Sequence, residues 1–385
     1  MSGRCLLGMA CMFLPACTSS SVPTLGRTPS FDQTLAVVSR LQFEDSVSVT
    51  GVISDNECGL IMAEGRRGIL LNINKRGNLT KTKEIPGSPR ALRLQRGVDG
   101  KITVWSSRSG FVGVVLQDLS VSVQSIPEHP WKGGLFGSPL WNGSGIALAL
   151  FGEGSPSLKT PQHWTPTPLV YLLDRTGAKS DSLGMVPRLD GNYLGAFSAR
   201  SAMGLHGDTI VLLNLLEGEV TKWLPGAGLV QHWYMSRYFE APQPREILTQ
   251  YPWVDNGEAI LRHVIALPQV EIAAIDTDGN VYAVRPYKAA WESAGPRHSR
   301  DDGRWKTVSR GLEVYSSNGT LLGKYLLPFD EELRWLRAET SGRIFLRTES
   351  QVVVGRVSTA KESCAPLPSR LIVRTIGHHL HVAVP

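Results

Sequence analysis

The chain has no run of eighteen or more apolar residues, which excludes a polytopic membrane protein. No long helical period of apolar positions with capping residues occurs either, so an α/β fold is disfavoured. Charge is sparse: 19% of the 385 residues are Asp, Glu, Lys or Arg, too few for a disordered chain or a coiled coil. The 40 Lys and Arg outnumber the 34 acids and give a formal charge of +6, yet they are scattered and form no stripe that would follow a nucleic-acid backbone. Local catalytic signatures are also missing. There is no His-Glu-x-x-His helix, no Gly-x-Ser-x-Gly elbow, no Cys-x-x-Cys pair and no phosphate-cradling Gly-rich loop ahead of a helix. What is present is apolar material for one large core or two smaller ones (42% hydrophobic), broken by 39 Gly and 24 Pro.

Cysteine is scarce, and three of the five lie in the first seventeen residues. One charge at Arg4 precedes a short apolar core from Cys5 to Leu14, followed by Pro15-Ala16-Cys17, the pattern of an export signal. Its end resembles a bacterial lipobox. That resemblance implies Leu14 and Ala16 as recognition positions, removal of residues 1–16, and Cys17 as the lipidated first residue of the mature protein. An ordinary cleaved signal and an uncleaved apolar start are the alternatives. Thr18, where an inner-membrane protein of this kind would carry Asp, implies the outer membrane, facing the periplasm or the cell surface. Residues 17–34 are small, polar and Pro-containing, as a flexible tether from lipid to a folded body requires.

Within a single domain expected over residues 35–385, one theme recurs beyond residue 55: a short apolar run, a turn rich in Gly, Asn or Asp, and a second short run. Residues 68–79, 169–177 and 311–323 are the clearest hairpins, and 208–220 is a looser copy. Further strands follow Gly turns at 59–64, 100–105, 145–150, 279–284 and 342–347. Several arms end at a proline: Pro86, Pro127, Pro187, Pro225 and Pro328. Grouping gives units near 55–87, 88–128, 129–188, 189–228, 268–328 and 329–381, lengths that suit four-stranded propeller blades with inserted loops. Residues 226–267 fit least well, and would either complete a blade or form a seventh. Leu35–Arg40 and Leu371–Ile376 are expected to share one blade.

The chain thereby resembles the six-bladed β-propeller lipoproteins of bacteria and, more distantly, NHL and TolB-type propellers. The likeness rests on forms such as Leu172-Leu173-Asp174-Arg175-Thr176-Gly177 and Val314-Tyr315-Ser316-Ser317-Asn318-Gly319. It implies an all-β, single-domain propeller of six blades, with seven blades or a β-sandwich as alternatives. If the ring closes, its two ends meet, and a Cys58–Cys364 disulfide would staple the closure; two separate buried thiols are the other reading.

Candidate chemistry is thin. Asp276-Thr277-Asp278-Gly279-Asn280 reads as an Asp-Gly hairpin turn that shares part of a calcium loop's spacing without its distal Glu. On a strand, His379 and His381 share a face that His378 does not, so at most two imidazoles converge there. His206 and His232 are isolated. Some six-bladed propellers are lactonases or lyases that hold a channel metal with ligands from several blades. Asp55, Glu57, Asp99 and Asp255 are the acids placed near inner strands, and no catalytic, metal or cofactor-binding set can be chosen among them. The expectation is therefore a membrane-tethered binding or scaffold protein without a cofactor. Trp131, Trp141, Trp164, Trp233, Trp253, Trp291 and Trp305 are its candidate recognition aromatics for a protein, peptide or carbohydrate, each also explicable as packing between blades. The alternative is a metal-dependent lactone hydrolase or lyase, with calcium or zinc in the channel.

Overall fold

A computed structural model describes residues 24–26, 30–85, 87, 92–97, 100–106, 111–125, 140–141, 145–149, 168–174, 179–185, 201–215, 218–238, 269–293, 303–357, 367–376 and 379–384. Every regular element among them is a strand, and no helix is long and apolar enough to cross a membrane.

The hairpins recur because one turn recurs. At Asn74–Asn78, Gly97–Lys101, Leu116–Ser120, Asp276–Asn280, Ser316–Thr320 and Glu339–Arg343, the first residue's N–H donates to the fifth carbonyl and the fourth N–H donates back to the first carbonyl. The fourth residue has positive φ and is Gly in five of these turns, where the absence of Cβ removes the steric penalty. Leu119 fills that position once, and Cys58 fills it in the related Asp55–Gly59 turn with φ of 68°. Side chains reinforce the geometry: Asn74 Oδ1 accepts from the N–H groups of Arg76 and Asn78, and Asp55 Oδ1 accepts from those of Glu57 and Gly59.

These hairpins build six sheets, written here in order from the inner strand outward. Sheet I is Val49–Ser54, Leu60–Glu64, Ile69–Ile73 and Leu79–Glu84. Sheet II is Leu92–Arg96, Ile102–Ser106, Phe111–Val115 and Val121–Ser125. Sheet III is Leu140–Trp141, Gly145–Ala149, Pro168–Asp174 and Lys179–Met185; sheet IV is Ser201–His206, Thr209–Asn214, Glu219–Leu224 and Gly228–Tyr234. Sheet V begins Ile272–Ile275, Val281–Ser293, Gly303–Tyr315 and Leu321–Leu326, and sheet VI begins Trp335–Ala338, Arg343–Arg347 and Gln351–Arg356. The chain is an all-β propeller.

Sheet VI takes its fourth strand from the other end of the chain. Ala36–Phe43 pairs antiparallel with Gln351–Arg356 and parallel with Arg370–Ile376, which is followed by His379–Ala383. The expected sharing of one blade by the two ends is what the pairing shows. Gly228–Tyr234 completes sheet IV, which settles the start of the poorly fitting region; 239–268, with the strand expected at 245–253, lies outside the described residues. Part of the segment read as a tether also joins the body: Thr24–Gly26 pairs with Val281–Ser293, and Gln33–Thr34 runs parallel to Leu321–Leu326.

Apolar cores lie between sheets, as radial packing demands. Val52, Leu60, Met62 and Leu71 meet Leu41, Phe345, Val352 and Val354 at the junction of sheets I and VI. Ile53, Ile61 and Leu70 meet Leu92, Leu94 and Val104 between sheets I and II. Tyr282, Val284 and Leu312 meet Leu336, Ile344 and Leu346 between sheets V and VI. Each such side chain contributes about 1.5–3 kcal/mol on burial.

Candidate functional site

Five of the six innermost strands turn residues into one cavity of about 580 Å³, the size of a small-molecule site. Its lining joins sheets I, II, IV, V and VI, so it exists only because the ring brings distant segments together. At the turn end of the strands it is polar, with Ser54, Asp55 and Asn56 from sheet I, Arg96 from sheet II, Asp276 and Thr277 from sheet V, and Glu339 from sheet VI.

These mouth residues mostly hold one another. Glu339 Oε1 accepts from Ser54 N–H at 2.7 Å and its Oε2 from Ser54 Oγ at 2.6 Å, while Arg343 Nη1 donates to Ser54 Oγ at 2.9 Å. That triad ties sheet VI to sheet I across the seam where the ring closes. Burial lowers Arg343, and Glu339 opposes the shift. Arg96 reaches over from sheet II to the Ser54 carbonyl and to Asn56 Oδ1. Asp276 accepts from the N–H groups of Asp278 and Asn280, from Asn280 Nδ2 and from Tyr282 Oη. Burial raises Asp276, and those hydrogen bonds pull the other way. Asp55 is likewise engaged, by its own turn and by Asn72 Nδ2.

The side chains along the strands are a different population. In Leu92–Arg96 the alternation sends Leu92 and Leu94 into the core, whereas Arg93 and Gln95 line the cavity. Trp105 lies directly across the strand pair from Arg93 and also lines the cavity. Arg93 Nη1 donates to the Thr50 carbonyl at 3.2 Å, an uncharged acceptor. Arg337 enters from sheet VI. Burial lowers both arginines, and the Arg93 charge adds to the effect on Arg337, which falls to about 10. Two further atoms stand out: Trp105 Nε1 and Gln95 Oε1 are buried without a hydrogen-bond partner, in a tryptophan only 5% exposed.

A second polar cluster lies away from the cavity, inside sheet V. The Glu313 carboxylate, fully buried, accepts from Tyr238 Oη at 2.6 Å, Tyr287 Oη at 3.0 Å and Tyr315 Oη at 2.6 Å, and pairs with Arg285 at 3.1 Å and Lys324 at 3.5 Å. Arg285 also donates to the carbonyls of Gln269 and Ser236, so the cluster fastens the segment after sheet IV onto sheet V. Burial alone would raise Glu313; Arg285 and the three hydroxyls outweigh it and hold the carboxyl below its ordinary range. Burial and the Glu313 charge raise Tyr287 and Tyr315. Each named group has its partner, and the cluster reads as a structural clamp.

The candidates from sequence separate as follows. Asp55 reaches the cavity; Glu57 is exposed on the turn beside it; Asp99 and Asp255 lie outside the described residues. Among the described residues no three His, Cys, Asp or Glu side chains gather as a metal site. The 276–280 segment is the Asp-Gly turn expected of it. His379 and His381 are exposed on one strand face, with His378 outside the described residues; His206 sits over Gly279, and exposed His232 lies 3.9 Å from Glu219. Trp233 packs on Tyr315 and the Gly319 turn. Trp141, Trp291 and Trp305 belong to strands, while Trp131, Trp164 and Trp253 fall outside the described residues. Cys58 is disulfide-bonded; Cys364 and Cys17 lie outside the described residues. Arg93, Gln95, Trp105 and Arg337 were not singled out from sequence. A lone tryptophan in the Ile102–Ser106 strand, directly followed by Ser106 and Ser107, gives no sign of its target.

No protein-family profile matches the chain, and no curated protein does. Similar solved structures include a streptogramin B lyase, at 10% identity over 82% of this chain and 96% of that one with a TM-score of 0.45. A gluconolactonase from Xanthomonas campestris matches at 10% identity over 85% and 87% of the two chains, TM-score 0.42. The Pan2 WD40 domain of Neurospora crassa matches at 10% identity over 85% and 82%, TM-score 0.35.

Proposed function

We propose that the protein is an extracytoplasmic propeller, tethered to the outer membrane through lipidated Cys17, that binds a small ligand in its central cavity. One observation carries the binding reading: a cavity of ligand size, walled by five sheets, holds polar atoms that the protein itself leaves unpartnered. We read the six sheets as six blades, in keeping with the resemblance to bacterial propeller lipoproteins. Cys364 is the proposed partner of Cys58. Its neighbour Pro368 accepts a hydrogen bond from Ser39 and packs with Leu371 over the Gly77 turn of sheet I, the sheet that carries Cys58. A disulfide there suits an exported protein.

The alternative is a lactone hydrolase or lyase acting in the same cavity, a chemistry named for some of the similar propellers. Among the described residues, the cavity acids Asp55, Asp276 and Glu339 are occupied in turns and at the ring seam, which disfavours a metal-dependent form built on them.

Blocking the cavity tests the reading. Full-length protein and an Ala338→Trp variant, which fills the cavity from sheet VI, would be incubated with a small-molecule extract of the cell envelope and analysed by native mass spectrometry. Wild type is expected to retain a small molecule that the variant excludes. Equal retention by both, or retention by neither, would contradict binding in the cavity.

A further inference from the structure

The cavity says more about its ligand than its size. Arg93 and Arg337, from sheets II and VI, face it as neighbouring like charges. The acids that line it are held elsewhere: Asp55 and Asp276 by their turns, Glu339 by Ser54. Arg334, at the rim, differs: it is half exposed and pairs with Glu332 and Glu349. Among the described residues, Arg93 donates to one neutral carbonyl and Arg337 meets no carboxylate. Trp105 adds a buried donor with nothing to donate to.

Each of these features costs stability by itself. Two guanidiniums repel, and a buried indole N–H without an acceptor forfeits its hydration. Together they are three donor groups lining one cavity, and their only acceptor among the described residues is the neutral Thr50 carbonyl held by Arg93. That constellation matches an oxyanion, since guanidinium forks pair with carboxylate or phosphate oxygens and the indole N–H supplies a third bond. Gln95 Oε1, the unpartnered acceptor among them, suits a hydroxyl on the same ligand.

Resting on the cavity-binding reading above, we infer that Arg93, Arg337 and Trp105 form an oxyanion subsite that receives the phosphate or carboxylate group of a small, hydroxyl-bearing ligand.

The test is calorimetric titration of the full-length chain in detergent micelles with inorganic phosphate and, separately, with succinate, ionic strength being held constant with sodium chloride. Saturable heat with one or both probes is expected, and the stronger of the two identifies the group the subsite prefers. Arg93→Gln and Arg337→Gln should each weaken binding about tenfold or more, as expected for losing a hydrogen-bonded charge. Trp105→Phe should weaken it several-fold, and Arg370→Gln, an exposed charge on an outer strand, should leave it unchanged. A melting experiment without anions guards against misfolding: Arg337→Gln should melt above wild type, because its like-charged neighbour is relieved. Absence of saturable heat with both probes, equal binding by Arg337→Gln, or a lower melting point for Arg337→Gln than for Arg337→Lys would overturn the inference. If the envelope extract still yields a ligand that Ala338→Trp excludes, only the oxyanion assignment falls. If it yields none, the cavity-binding reading falls with it.

Discussion

Two arginines of this protein sit in opposite electrostatic surroundings. Arg285, inside sheet V, faces a carboxylate that also gathers three tyrosine hydroxyls and a lysine, and its remaining N–H groups reach backbone carbonyls. Arg337, at the cavity, faces another arginine. Desolvating a charge costs several kcal/mol, which a protein recovers by pairing the charge and satisfying its hydrogen bonds. Sheet V recovers it internally, as a structural clamp does. The cavity does not, and a protein that keeps a charge uncompensated at a ligand-sized space has arranged for compensation from outside.

The strongest way to sharpen that contrast is to break the clamp. Glu313→Ala leaves Arg285 buried without its counter-charge and three hydroxyls without their acceptor, and should cost about 3–5 kcal/mol of folding stability in equilibrium denaturation. A loss below about 1 kcal/mol would show that the cluster holds nothing.

The pH dependence follows from the same group with a definite sign. Glu313 is held below its unfolded value, so its contribution is complete above the ordinary carboxylate range and disappears as pH falls through the lowered folded value. Between about pH 5 and pH 2, wild type should lose stability faster than Glu313→Gln, which has no proton to take up in that window. Parallel profiles would contradict the assignment.

The smallest expected effect has the reverse direction. Arg337→Gln should stabilise the ligand-free protein by on the order of 1 kcal/mol by relieving like-charge repulsion at a partly solvated site. The same type of change thus damages one site and helps the other.

Much of the scaffold was legible in the chain because it is written locally. Asn74, Asp276 and Ser316 each open a turn closed by Gly three residues later, and the apolar arms around them mark the hairpins of sheets I and V. Even the sharing of sheet VI by Leu35–Arg40 and Leu371–Ile376 followed from two unpaired strands at the ends of a ring. Of the cavity residues, Asp55 was legible and the donors were not, since Arg93, Trp105 and Arg337 lie on strands of two sheets separated by more than two hundred residues. An arginine between apolar neighbours on an inner strand looks like any edge charge until ring closure sets what it faces. Glu313 carries a local clue, since an acid between Leu312 and Val314 in a buried run needs a partner, and sequence does not say that the partner is Arg285.

The most direct measurement is a crystal structure of the full-length protein soaked in tungstate, a heavy oxyanion located by its anomalous signal. The account predicts a peak between the Arg93 and Arg337 guanidiniums, within hydrogen-bonding distance of Trp105 Nε1. A cavity with no peak there, with both arginines paired to carboxylates of the protein itself, would contradict it.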